Sequence, residues 1–126
     1  MGTTAQNMIP IYSTRGDLGA YLVYPHLYNA QGEWIGWVTP EREVYSVLGY
    51  YVGYLTNEPR ILRKRVLETT KSRQSPPPHA ERIRPLATVP LARMMRELYH
   101  DTIDVLLEEP ERLHTVDTGE YRQDLD

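Results

Sequence analysis

Cysteine and phenylalanine are both absent from these 126 residues. Without thiols the chain can hold no disulfide framework, no thiolate metal site and no cysteine nucleophile. No apolar run approaches the roughly 18 residues that a membrane span needs. Met1 to Pro10 lacks the basic and apolar regions of a secretory signal, so the expected location is cytoplasmic. Histidine is sparse: His26, His79, His100 and His114 stand apart, with no short-spaced pair to begin a metal site. What remains is one domain's worth of chain whose aromatics are 10 Tyr and 2 Trp. A buried Tyr must find a partner for its hydroxyl, so the aromatic surfaces are amphipathic.

The net charge of −3 conceals an uneven distribution. Residues 1–59 carry two bases against five acids, residues 60–96 ten bases against two acids, and residues 97–126 two bases against ten acids. Two strong fields of opposite sign therefore follow one another in the second half of the chain.

The first half repeats itself. IYSTRGDLGAYL (Ile11 to Leu22), LYNAQGEWIGWV (Leu27 to Val38) and VYSVLGYYVGYL (Val44 to Leu55) align without gaps. The shared positions are an aliphatic, a Tyr (Tyr12, Tyr28, Tyr45), a Ser or Asn, a Gly (Gly16, Gly32, Gly49), a small residue (Ala20, Gly36, Gly53), an aromatic (Tyr21, Trp37, Tyr54) and a closing aliphatic. Each copy reads as a β-hairpin. Tyr, Val, Ile and Trp suit a pleated, half-buried surface, and the central Gly supplies the positive φ of a tight turn or bulge. Simple alternation would put Val52 with Tyr54, Ile35 with Trp37 and Gly19 with Tyr21 on one face. A degenerate fourth copy begins near Ile61, where the Tyr and the Gly are missing.

This pattern resembles the four-fold beta-flower domain family over about residues 9–65. The resemblance implies a mainly β fold of repeated hairpins, three clear and a fourth degenerate, around a pseudo-four-fold axis. It implies no catalytic residues. A weaker likeness is to PRC-barrel domains, whose strands also carry Gly-x-x-x-Gly hairpins such as Gly32 to Gly36 and Gly49 to Gly53 and which mostly serve as docking modules.

The expected organisation is a hairpin domain over 1–68, a basic Pro-rich arm over 69–90, an amphipathic helical segment over 91–113 and an acidic disordered tail over 114–126. Ser75 to Pro78 with Pro85 and Pro90 favours an extended, polyproline-like arm. Leu91, Met94, Met95, Leu98, Thr102, Val105 and Leu106 then recur at helical spacing, with Pro110 as the stop. A separate helix after Asp101, with a break near His100, is the alternative.

Three groups of residues are candidates for function. Tyr21, Trp37 and Tyr54, with Tyr12, Tyr28 and Tyr45, could wall an aromatic pocket at the hairpin axis for a small ligand. Arg60, Arg63, Lys64 and Arg65 lie in a basic stretch, 60–96, of the kind that binds nucleic acid or an acidic partner. Leu91, Met94, Met95, Leu98, Val105 and Leu106 could form a partner-helix face. The carboxylates Asp104, Glu108, Glu109 and Glu111, and the pair His100 and Asp101, read better as a solvated face than as a catalytic or metal site. The leading expectation is a non-enzymatic scaffold or interaction module that self-associates, with a dimer favoured, no cofactor, no membrane contact, and nucleic acid as a weaker alternative.

Overall fold

The computed structural model of the chain describes residues 7–66 and 71–116. The boundary expected at residue 68 and the acidic tail from residue 117 lie outside them. Eight strands form one antiparallel sheet in sequence order: β1 (Ile9–Tyr12), β2 (Leu18–Val23), β3 (His26–Asn29), β4 (Trp34–Val38), β5 (Glu43–Ser46), β6 (Tyr51–Leu55), β7 (Ile61–Lys64) and β8 (Thr102–Asp104). They group as four hairpin petals, β1 with β2, β3 with β4, β5 with β6, and β7 with β8. The architecture is the expected one.

The repeated residues do repeated work in the first three petals. At each tip the Gly N–H donates to the carbonyl three residues earlier, from Gly16 to Ser13, Gly32 to Asn29 and Gly49 to Ser46. The glycines have φ of +90°, +87° and +94°, the left-handed region that a side chain disfavours. The Ser or Asn side chain accepts turn N–H groups, as when Asn29 Oδ1 takes those of Gln31 and Glu33 at 3.0 and 2.9 Å. Arg42 occupies the equivalent place in the Thr39–Glu43 turn at φ 69°, held there by Nε donating to the Leu55 carbonyl at 2.9 Å.

Each of these three petals also carries a bulge, which corrects the simple alternation. Ile11 faces Ala20 while Tyr12 faces Leu18, leaving Gly19 extra; Ile35 and Val52 are the extra residues of the next two petals. The bulge moves Ile35 and Val52 away from Trp37 and Tyr54 and into a cluster with Ile11, Ala20, Leu22, Leu27, Val44, Leu55 and Ile61. Aliphatic residues thus fill one side of the curled sheet, and Val105 and Leu113 close it. Gly36 and Gly53 lie tight against the neighbouring strands: a Cβ at Gly36 would fall 2.3 Å from the Tyr45 carbonyl oxygen, and one at Gly53 2.4 Å from that of Leu62, with Leu113 and Val105 of the plug next at 3.2 and 3.3 Å.

The fourth petal closes within the chain. Leu62 pairs with Asp104, Arg63 with Ile103 and Lys64 with Thr102, across an intervening arm. Fully buried Asp104 then ties β8 to the first petal, its Oδ2 accepting both the N–H and the hydroxyl of Thr14 at 2.6 Å. The helix expected over 91–113 is absent except for α1 (Val105–Glu108), followed by a 3-10 turn at Pro110–Arg112. Residues 91–99 have no helix and no strand.

From Pro77 to Leu98 the arm shows another period. Its half-buried residues are Pro77, Ala80, Ile83, Val89, Ala92, Met95 and Leu98, spaced by three or a multiple of three, with Pro85 as the exception. Three per turn is the period of a polyproline II strand, and a strand of this kind shows one row of side chains to whatever it lies on. The arm is a strap laid over the petals.

Candidate interaction surface

The strap runs backwards along the sheet and meets petal three first. The Gln74 N–H donates to the Gly49 carbonyl at 2.9 Å, Arg73 lies over the Tyr50 ring at 5.4 Å, and Lys71 pairs with Glu43 at 2.8 Å. Nine residues later the Ile83 N–H donates to the Gly32 carbonyl at 2.9 Å and Arg82 pairs with Glu33 at 3.6 Å. Ala92, nine residues further, sits against Gly16, 3.7 Å from where a Cβ there would be. A Cβ on Gly32 or Gly49 would fall 2.0 Å from the Ile83 or Gln74 carbonyl oxygen, so these two tips need glycine for closeness as well as for φ.

The aromatic candidates lie beneath or beside this strap. Tyr21, Tyr28 and Trp34 form a cluster that Ala80, Ile83 and Val89 cover. His79 meets the Trp34 ring edge-on at 5.2 Å. Trp37 and Tyr45 stack on each other at 5.4 Å, and Tyr45 donates to Glu43. Tyr12 donates to the Pro90 carbonyl. Burial, with a smaller contribution from the Glu43 carboxylate, pushes the Tyr45 hydroxyl up from its ordinary value. The Glu43 carboxyl is held low by Lys71. Among the described residues the interior holds the aliphatic cluster rather than these rings, and Tyr21, Tyr28 and Trp34 seat the strap. Tyr54 is only half buried.

The basic candidates are each paired. Arg60, 3% exposed, engages Glu58 with Nε and Nη2 at 3.0 and 2.9 Å and donates to the Thr14 hydroxyl at 3.1 Å. Arg63 pairs with Glu109, Lys64 with Asp101 at 3.3 Å and Arg65 with Glu108 at 3.6 Å. Arg60 holds the Glu58 carboxyl below its ordinary range. At Glu109 desolvation works upward but is outweighed by Arg63 and Arg112. Three of these pairs, those of Arg63, Lys64 and Arg65, join the basic and acidic charge blocks of the sequence within the chain.

The partner-helix face divides. Val105 and Leu106 turn inward to the aliphatic cluster, Met95 and Leu98 are half buried, and Leu91 and Met94 are 94% and 99% exposed. Beside those two runs an open groove of about 730 Å³, bounded by Ile9 and Pro10 of β1, by Glu58 and Pro59, and by the strap from Pro90 to Arg96. A second groove of about 570 Å³ adjoins it, between Tyr54, Leu62 and exposed Tyr99. This is the seam where the first and last petals meet. Among the described residues no group of His, Asp or Glu is placed to hold a metal ion, and no helix is long and apolar enough to cross a membrane.

A family model described as 4-fold beta flower protein matches residues 9–102, from the first residue of β1 to the first of β8. The chain belongs to the 4-fold beta flower family. The function of this family is unknown. No curated protein and no solved structure matches the chain. Within this flower, the features missed in sequence are the nine-residue register of the strap and the seam. Arg73-Gln74-Ser75-Pro76 and Arg82-Ile83-Arg84-Pro85 show the register once they are aligned.

Proposed function

We propose that this beta flower is a non-enzymatic interaction module that pairs with a second copy of itself through the seam groove, with a dimer as the favoured assembly. The observation that carries this reading is the near-complete exposure of Leu91 and Met94 on a strap segment that borders an apolar groove. Large side chains so placed are what a protein interface covers. The seam also suits a two-fold contact, in which one patch must complement itself. Arg93 and Arg96 line the groove with Glu58, and Glu97 adjoins Arg96, so two copies turned about an axis can set opposite charges against one another.

Light scattering and sedimentation over a concentration series test this. The wild-type chain is expected to dimerise, and Leu91→Asp with Met94→Asp to weaken the dimer by about tenfold or more, which is ~1.4 kcal/mol or more. A wild-type monomer at every concentration would remove the proposal.

A further inference from the structure

The strap contacts at petals three and two follow one rule. A strap N–H donates to the tip glycine carbonyl, the residue before that donor is Arg and meets the residue after the glycine, and Pro stands two residues later. At petal three the set is Arg73 with Tyr50, Gln74 with Gly49, and Pro76; at petal two it is Arg82 with Glu33, Ile83 with Gly32, and Pro85. Gln74 and Ile83 have nothing chemical in common, so the tips read the backbone N–H, the Arg and the extended frame. The identity of the donor residue does not matter to them.

At petal one the register continues but the chemistry fails. The positions equivalent to Arg, donor and Pro are Leu91, Ala92 and Met94. Leu91 offers nothing to Asp17, the residue after Gly16, and both Leu91 and Met94 project into solvent. Among the described residues the Gly16 carbonyl receives no backbone N–H and the Asp17 carboxylate makes no ion pair. Gly16 has the same left-handed backbone as Gly32 and Gly49, so its carbonyl belongs to the same kind of tip.

We propose that the tip of the first petal is a copy of the strap-binding site whose polar contacts the chain's own strap leaves unmade, and that it takes an extended, basic Arg-x-x-Pro segment of another protein. The Arg of that segment pairs with Asp17, the N–H of the next residue donates to the Gly16 carbonyl, and the segment replaces Leu91–Met94 on the tip. Proline pre-orders such a strand, which lowers the entropy lost on binding. The site shares Leu91 and Met94 with the seam pairing, and Asp17→Asn, which leaves both in place, separates the two readings.

The test is fluorescence anisotropy with a labelled peptide of the sequence His79–Thr88 added to the full chain. Saturable binding is expected, weakened about threefold by Asp17→Asn, the size of an exposed ion pair, and weakened similarly when the peptide's Arg82 is replaced by Ala. A second variant, Leu91→Arg with Met94→Pro, installs the Arg-x-x-Pro frame in the chain's own strap. It is expected to abolish peptide binding and to slow hydrogen exchange at the Ala92 amide. Absence of saturable binding to the wild-type chain overturns the proposal, as does binding that neither Asp17→Asn nor the double variant reduces. Either result leaves the seam dimer to stand or fall on its own measurement.

Discussion

Gly16, Gly32 and Gly49 occupy one column of the repeat, but replacing them should not cost the same. All three have positive φ, so an alanine at any of them is strained by about 1 kcal/mol. At Gly16 that is the whole cost, because the new Cβ would meet only the Ala92 side chain at an ordinary 3.7 Å. At Gly32 the Cβ would stand 2.0 Å from the backbone oxygen of Ile83, and no side-chain rotation relieves that clash. The strap must leave, losing the Ile83 hydrogen bond, worth about 1 kcal/mol, and part of the apolar cover over Tyr21, Tyr28 and Trp34. Gly32→Ala should therefore cost about 3 kcal/mol against about 1 kcal/mol for Gly16→Ala. At roughly 4 °C per kcal/mol for a chain of this size, thermal unfolding followed by circular dichroism should fall by about 12 °C and about 4 °C respectively. Asn tolerates positive φ, so Gly16→Asn should be nearly silent while Gly32→Asn remains severe. Equal losses at the two positions would refute the claim that the strap is held at the tip.

Other outcomes follow from the charge pairs and the plug. Glu58→Gln removes the partner of a nearly fully buried guanidinium and should cost about 2 kcal/mol in a denaturant titration, below the value for a fully buried pair because Glu58 retains some exposure. Glu43, Glu58 and Glu109 all titrate below their ordinary 4.5 when folded, so their stabilisation is complete above that pH. It is lost as the pH falls through the lower folded values, and acid unfolding monitored between neutral pH and strong acid should be shallower in Glu58→Gln. Leu113→Ala should destabilise by about 2–4 kcal/mol by hollowing the plug, whereas Leu91→Ala, at an exposed site, should leave the unfolding midpoint within about 0.5 kcal/mol.

The hairpins are legible in the sequence because each is a local unit: Tyr12, Gly16 and Tyr21 lie within ten residues and recur twice. The bulges are not legible. Gly19, Ile35 and Val52 share a position but no residue type, and alternation alone sends Val52 to the wrong neighbours. The strap is misread for a physical reason. Leu91, Met94 and Leu98 fit a period of 3.6, but burial selects Ala92, Met95 and Leu98, a period of three. A helical reading and an extended reading differ by a fraction of a residue per turn, and ten residues cannot separate them. The destination of Arg63, Lys64 and Arg65 is likewise hidden, since their partners Glu109, Asp101 and Glu108 lie across the whole arm.

The discontinuous fourth petal has a kinetic consequence. Three petals are joined by short turns and can form as soon as their residues exist, whereas β7 must wait for Thr102, 38 residues beyond Lys64. Closing a flexible loop of that length costs about 2 kcal/mol more than closing one of four residues. Docking at Gly49 and then at Gly32 divides this span into nearer steps, so the strap should assemble from petal three towards petal one and deliver β8 and the Val105–Leu113 plug last. During synthesis the aliphatic interior of the first three petals would stay uncapped until the final quarter of the chain emerges. That interval is when a newly made flower is most exposed to aggregation.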